Sequence, residues 1–343
     1  MRMALIGAGS IGTIIGALIS KSGGGIVLVD QYKEHVDALN KNGARIIGHV
    51  DWNIPVKAIT PEEMDGKYDL IIFTTKQTTL RESLQTALEY MHNDTIVLTL
   101  QNGIPEDIAK EFVDEKRVMG GGVEFGATWK KPGVIELTSS PSSLSITFGQ
   151  MDGNITEKTK QVQKIVGAIG NADVTTNLMG LRYTKLTDNS TFSAMSAALG
   201  CCNANILDNT KAMTCIAYLG REAGQVIEKM GIQPKKIFGL QPTMENVDFT
   251  TKEELADVIK NYWIPIYTPF RDGVASMWQD IEKVQKSEID QINGKFVEMG
   301  EKFGVEVPFM EKVVEVVTKL QNRDTQPEKA WNNLECFNIP DIE

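Results

Sequence analysis

The residues best suited to chemistry fall into two groups along the 343-residue chain. In the first, Gly7-Ala8-Gly9-Ser10-Ile11-Gly12 has the GxGxxG spacing. There a first glycine permits a tight turn, a second lets backbone approach a pyrophosphate, and a third lets a helix pack close to a strand. Asp30 follows Gly12 by 18 residues, near the spacing at which a carboxylate accepts hydrogen bonds from a cofactor ribose. In the second group, Lys185, Asn189 and Ser193 recur at intervals of four. On a helix this puts an ammonium, an amide and a hydroxyl on one face, although a solvent-facing polar stripe produces the same spacing. Asn203 lies 18 residues past Lys185, five full turns if the helix continues, with Gly200 a candidate break.

The elements that must position these residues follow from apolar patterning. Met3 to Ile6 reads as a buried strand, Ile11 to Ser20 as a helix, and Ile26 to Val29 as a second strand ending at Asp30. Together they form one βαβ unit around the glycines. Further strands are expected at Asp69 to Thr75 and Thr95 to Leu100, with a helix over Thr79 to Met91 between them, so a parallel, doubly wound sheet follows. Ligands bind beyond the carboxyl ends of such strands, which makes Lys76 and Asn102 candidates. A solvated surface lysine and an Asn-Gly turn are the plain alternatives. Shorter strands are expected at Arg117 to Val123, Val134 to Thr138, Leu144 to Phe148 and Val174 to Thr176. Beyond Asn177 strand signals give way to helical periodicity from Leu181 through Leu199. The fold class is α/β, an N-terminal Rossmann-type doubly wound sheet over 1–176 with a C-terminal all-helical domain over 177–343.

Composition narrows the function. With 42% hydrophobic and 23% charged residues the chain resembles an ordinary globular enzyme. A balance of 35 Lys+Arg against 45 Asp+Glu, formal net charge -10, disfavours nucleic-acid backbone binding. The apolar Met1 to Ser20 segment imitates a signal peptide, but its spaced glycines argue against one. No other apolar stretch reaches membrane-spanning length, so a cytoplasmic protein with no membrane partner is expected. The four cysteines, among them the adjacent Cys201 and Cys202, read as reduced buried thiols rather than a disulfide framework. With His35, His49 and His92 far apart, no metal is expected.

Ser276-Met277-Trp278-Gln279-Asp280 and Ser287-Glu288-Ile289-Asp290-Gln291-Ile292-Asn293-Gly294 are read as preceding and lying within one helical segment. Taken alone, Glu288 is one acid among many. Together with GAGSIG at 7–12, TTK at 74–76, QNG at 101–103 and KLTDN at 185–189, these segments make the chain resemble the ketopantoate reductase family over essentially its whole length. That resemblance implies NAD(P)H-dependent reduction of a 2-oxo acid to a 2-hydroxy acid, as of ketopantoate to pantoate. It implies that Lys185 is the general acid, that Glu288 is a catalytic carboxylate that orients its ammonium or supports cofactor or substrate, and that Asn189, Ser193, Asn203 and Ser276 contact substrate. Cofactor contacts fall to Gly7, Ala8, Gly9, Ser10, Ile11, Gly12, Asp30, Lys76 and Asn102.

Three departures from the family pattern stand out. Many members carry a second asparagine where this chain has Ser193, biosynthetic members commonly end the second strand with a basic residue where it has Asp30, and residues 208–275 are longer than usual. Asp30 points to NAD(H) over NADP(H). Ser193 keeps open a D-2-hydroxyacid dehydrogenase acting on branched or aromatic 2-oxo acids. A non-catalytic NAD-binding sensor is a third reading, against which Lys185 and Glu288 argue. The expected partner is a small-molecule 2-oxo acid, and the oligomeric state is open, a homodimer being one option.

Overall fold

A computed structural model describes residues 1–342. The chain divides into two compact units, Met1–Leu178 and a second that begins at Met179. In the first unit the strands are β1 (Met3–Ile6), β2 (Ile26–Val29), β3 (Ala44–Gly48), β4 (Trp52–Ile54), β5 (Lys57–Ile59), β6 (Tyr68–Phe73), β7 (Met91–Thr99), β8 (Val118–Val123), β9 (Ala127–Lys131), β10 (Val134–Leu137), β11 (Ser145–Gln150) and β12 (Asn171–Val174). Eight of them form one sheet in the order β12-β11-β8-β7-β6-β1-β2-β5. Every neighbouring pair is parallel except β8 with β11. The strand order reverses at β1, the switch point at which a doubly wound sheet takes its ligand.

Alternation along these strands explains the layering. Leu5, Leu70, Ile72 and Leu98 face one core with Ile14, Ile15 and Leu18 of the helix Ser10–Lys21. Ile6, Ile71, Phe73 and Val97 face another with Leu80, Leu84 and Ala87 of the helix Leu80–Ala87. Both faces are therefore buried, which is why the strands read as continuous apolar runs. Each such aliphatic or aromatic side chain contributes about 1.5 to 3 kcal/mol of burial.

A second sheet, β4-β3-β10-β9, was not expected from the sequence. Of its strands only β10 answers to an expected one, Val134 to Thr138; β3, β4 and β9 are short and partly exposed, so their periodicity is weak. The helix expected to reach Met91 ends at Ala87 and tightens into a 3-10 turn, because Met91 already pairs with Tyr68 as the start of β7. The last strand of the sheet lies at 171–174, a few residues before the expected Val174 to Thr176, where Asn171 to Val174 pair with Ser145 to Phe148.

The second unit is helical, its only bridge joining Ile237 and Leu240 among the described residues. Its helix Leu178–Asp188 widens into a π turn over Asn189–Ser193, resumes as Ala194–Leu199 and stops at Gly200, whose φ of +59° is left-handed. Gly200, the candidate break, thus ends the helix, and Asn203 opens the short helix Asn203–Leu207. Val284, at φ +57°, separates the helix Ser276–Glu282 from Ile289–Phe303. The segment 276–280, read as preceding a helix, thus forms a helix of its own, and the later motif enters its helix at Ile289.

All four cysteines are free, but only Cys215 is buried and Cys336 is exposed, which corrects the expectation of uniformly buried thiols. Burial pushes the Cys201 and Cys215 thiols up to about 12. Among the described residues no helix is long and apolar enough to cross a membrane, and no cluster of His, Cys, Asp or Glu is arranged to hold a metal ion.

Candidate active site

The glycine loop is built as its spacing requires. Gly7 has φ +98°, and a Cβ there would meet Thr75 N at 2.5 Å. A Cβ on Gly12 would collide with the Gly7 carbonyl and reach Thr74 Oγ1 at 2.6 Å. The Thr74 hydroxyl donates to Gly7 O at 2.7 Å and so ties the loop to the end of β6. Gly9 differs, since a Cβ there meets no atom within 4 Å. It precedes the helix Ser10–Lys21, whose first turn has no side-chain cap. An uncapped helix N-terminus with backbone open beside it is an anion cradle, so these residues fit a dinucleotide pyrophosphate.

Asp30 follows β2, whose Val29 O accepts from Gly7 N at 2.8 Å, so the acid stands on the strand beside the loop. Its Oδ1 accepts from Tyr32 N at 2.9 Å. Lys76 and Asn102 follow β6 and β7, at the same carboxyl edge of the sheet. The buried, neutral-favouring His35 supports the loop from behind. Gly133 N donates to its Nδ1 at 2.9 Å, and its Nε2 lies 3.2 Å from the Thr13 hydroxyl, which in turn donates to Ala8 O at 2.7 Å. Burial holds this imidazole below its ordinary pKa, in keeping with an Nδ1 that accepts a hydrogen bond.

In the second unit a cavity of about 260 Å³ is lined by Lys185, Asn189, Ser193, Asn203 and Ser276. These five came from three separate stretches of sequence, and the fold brings them to one place. The Lys185 ammonium donates to Asp188 Oδ2 at 2.6 Å, and Tyr267 OH donates to Asp188 Oδ1 at 2.6 Å. Burial, followed by the Asp188 charge, holds the Tyr267 phenol well above its ordinary pKa, so it stays a donor. The Asn189 Nδ2 is buried without a hydrogen-bond partner, and a ligand oxygen in the cavity would satisfy it. Asn203 is oriented by its own Nδ2 donating to Phe270 O at 3.0 Å.

The π turn is held open by polar side chains. Ser190 and Thr191 hydroxyls both donate to Thr187 O, at 3.2 and 2.8 Å. The fully buried Asn293 donates from Nδ2 to Ser190 O at 2.9 Å. Such wide turns place extra side chains at a ligand site at the expense of regular backbone bonding.

Glu288 does not sit on Lys185. It occupies the N-cap position of Ile289–Phe303 and is not among the cavity-lining residues, whereas the carboxylate on the ammonium is Asp188. Sequence reasoning missed Asp188, although it lies inside KLTDN one turn from Lys185, and missed Asn293, which lies inside the last motif. Tyr267 carried no signal, since its approach to Asp188 spans 79 residues.

Residues 3–153 match the family described as Ketopantoate reductase PanE/ApbA, and residues 177–321 match its C-terminal counterpart. A 2-dehydropantoate 2-reductase from Pyrococcus horikoshii is 30% identical over 308 residues, which covers 90% of this chain and 93% of that protein. One from Streptococcus pyogenes serotype M18 is 25% identical over 320 residues, 92% of this chain and 97% of that protein. The solved ternary structure of a D-mandelate dehydrogenase with NADH and anilino(oxo)acetate superposes with a TM-score of 0.81 at 24% identity, covering 94% of this chain and 99% of that one. At that identity the likeness concerns the fold.

Proposed function

Because the chain belongs to the ketopantoate reductase family, nicotinamide-dependent oxidoreductases acting on CH–OH groups, we propose that it reduces a 2-oxo acid to a 2-hydroxy acid with Lys185 as proton donor. The observation that carries this reading is the Lys185 ammonium in a cavity whose other polar side chains, among them Asn189, Ser193, Asn203 and Ser276, are neutral apart from Asp188.

A reduced nicotinamide, when bound, supplies the hydride. The chain's own residues supply the rest. Lys185 faces the carbonyl oxygen of the substrate, stabilises the charge that grows on it and delivers a proton from Nζ. Asp188 fixes the ammonium, and Tyr267 fixes Asp188. Asn189, Ser193, Asn203 and Ser276 hydrogen-bond the substrate carboxylate without competing for the proton. The glycine loop and the first turn of Ser10–Lys21 would hold the pyrophosphate of such a cofactor, and Lys76 and Asn102 would contribute to holding the rest of it. Asp30 would accept from the ribose hydroxyls, which favours NADH. Glu288 remains a supporting residue of this reading, for cofactor or substrate.

The names of the relatives favour 2-dehydropantoate as substrate. A second reading, a 2-hydroxyacid dehydrogenase for bulkier apolar 2-oxo acids, is favoured by the cavity's apolar wall, to which Phe192, Ile237, Leu240 and Ile266 contribute. Oxidation of NADH and NADPH in the presence of 2-dehydropantoate, pyruvate, a branched and an aryl 2-oxo acid tests both. No oxidation with any of them refutes the proposed chemistry, and the ranking of rates identifies the substrate class.

A further inference from the structure

The cavity wall contains a residue whose backbone is unfavourable and whose side chain packs poorly into the protein. Phe238 has φ +49° and Gly239 has φ +91°. Ile237 and Leu240 on either side exchange both backbone hydrogen bonds, Ile237 N to Leu240 O at 2.9 Å and Leu240 N to Ile237 O at 2.8 Å. This is a two-residue hairpin turn with positive φ at both central positions, where Asn, Asp or Gly is preferred and a bulky aromatic is an outlier. Folding gains little from the ring, since Phe238 is 55% exposed. Its neighbour Phe270 is 45% exposed, and the two rings meet edge to face with centroids 6.0 Å apart. Both line the cavity that contains Lys185.

The turn is also fixed in place. Just beyond it, Gln241 N donates to Tyr262 OH at 2.8 Å and Gln241 Nε2 to Pro234 O at 3.0 Å, while Lys235 N donates to Gly180 O at 3.1 Å on the helix that carries Lys185. A strained, exposed aromatic on a rigid turn, facing a ligand cavity, is an arrangement that binding repays and folding does not. We propose that Phe238 and Phe270 form an aromatic clamp that receives the ring of an aryl-substituted 2-oxo acid, and that Phe238 is the main specificity-determining residue of the site. The oxo-acid half of this statement rests on the function proposed above. The clamp rests on the turn and the two rings. An aryl group would cover both exposed rings and take up an offset or edge contact with them, whereas a methyl group would leave them wet.

Phe238→Gly tests this, because glycine relieves the turn and should leave the melting temperature equal or higher. Two readouts are needed: binding of phenylglyoxylate and of pyruvate, by calorimetry, to the protein saturated with oxidised cofactor, and kcat/KM for both acids with reduced cofactor. The parent should prefer phenylglyoxylate, and the variant should lose about tenfold or more on it while changing less than about twofold on pyruvate. If the parent reduces 2-oxo acids without preferring the aryl compound, or the variant weakens both equally, the clamp is overturned and the proposed chemistry stands. If no 2-oxo acid is reduced but phenylglyoxylate binding still falls tenfold in the variant, the clamp stands and the chemistry is overturned. A variant that changes only the oligomeric mass overturns the clamp in favour of a self-association surface.

Discussion

Lys185 Nζ lies 2.6 Å from Asp188 Oδ2, one turn along the same helix, and the second oxygen of that carboxylate is occupied by Tyr267 OH, also at 2.6 Å. The ammonium is thus aimed by a group that is itself anchored from a distant helix. Lys185→Ala is expected to lower kcat by about 10²- to 10⁴-fold, the usual range for a general acid, with dinucleotide affinity unchanged by titration. Asp188→Asn keeps the shape but weakens the charge-assisted bond. It should lower kcat more than it raises KM, with a melting temperature close to the parent's. A kcat within about threefold of the parent in Lys185→Ala would remove the lysine from its assigned role.

The glycine loop separates folding from binding. Gly12→Ala forces a Cβ onto the Gly7 carbonyl, so it should lower both thermal stability and cofactor affinity. Gly9→Ala adds its Cβ to open space and should leave the melting temperature unchanged while weakening NADH binding at least tenfold. Equal NADH affinity in Gly9→Ala would show that the pyrophosphate does not approach that backbone.

On the proposed reading, Asp30 sets the choice of cofactor. Its Oδ1 already accepts from Tyr32 N, which aims the carboxylate, and nearby Lys33 is engaged with Asp37 at 3.2 Å. A 2′-phosphate beside that carboxylate would place like charges at about 4 Å, on the order of 4 kcal/mol at an effective dielectric near 20 before relaxation. A preference for NADH of about 10²-fold in kcat/KM, roughly 2.7 kcal/mol, is expected, and Asp30→Ser should reduce it. Equal kcat/KM for the two cofactors in the parent would refute the assignment.

Glu222 joins two helices of the second unit, its oxygens accepting from Phe309 N and Met310 N, both at 2.8 Å, at the start of Pro308–Gln321. Burial pushes this carboxyl up to about 8 against the pull of the two amides. A carboxyl that binds its proton more tightly folded than unfolded contributes stability that is complete below about 4.5 and lost as pH rises towards 8. The parent's melting temperature should therefore fall over that window by more than that of Glu222→Gln. At low pH the variant should be less stable by about 1 to 3 kcal/mol, because an amide NH₂ faces one of the two N–H donors. Parallel pH profiles would contradict this account.

The local chemistry was legible in the sequence because it depends on neighbours along the chain. The glycine turn, the acid ending β2, the alternating runs buried on both sheet faces and the KLTDN spacing all follow from short-range geometry, and each carried its own signal. Tertiary structure decided what depends on distant partners. The second sheet joins β10, whose strand the sequence did show, to β3, β4 and β9, and the β3–β10 pairing spans about 90 residues of chain that local pattern cannot bridge. The π turn is braced by Asn293, which donates to Ser190 O from 103 residues away, and that interaction has no periodicity to read. The Lys185–Asp188 pair is local, three residues apart on one helix, and so lay within reach of the sequence, whereas its anchor Tyr267 is 79 residues from Asp188 and was decided by the fold. Phe238 shows the limit most clearly, since an apolar residue in sequence suggests a core position, and only the fold reveals its positive φ, its exposure and its place on the cavity wall.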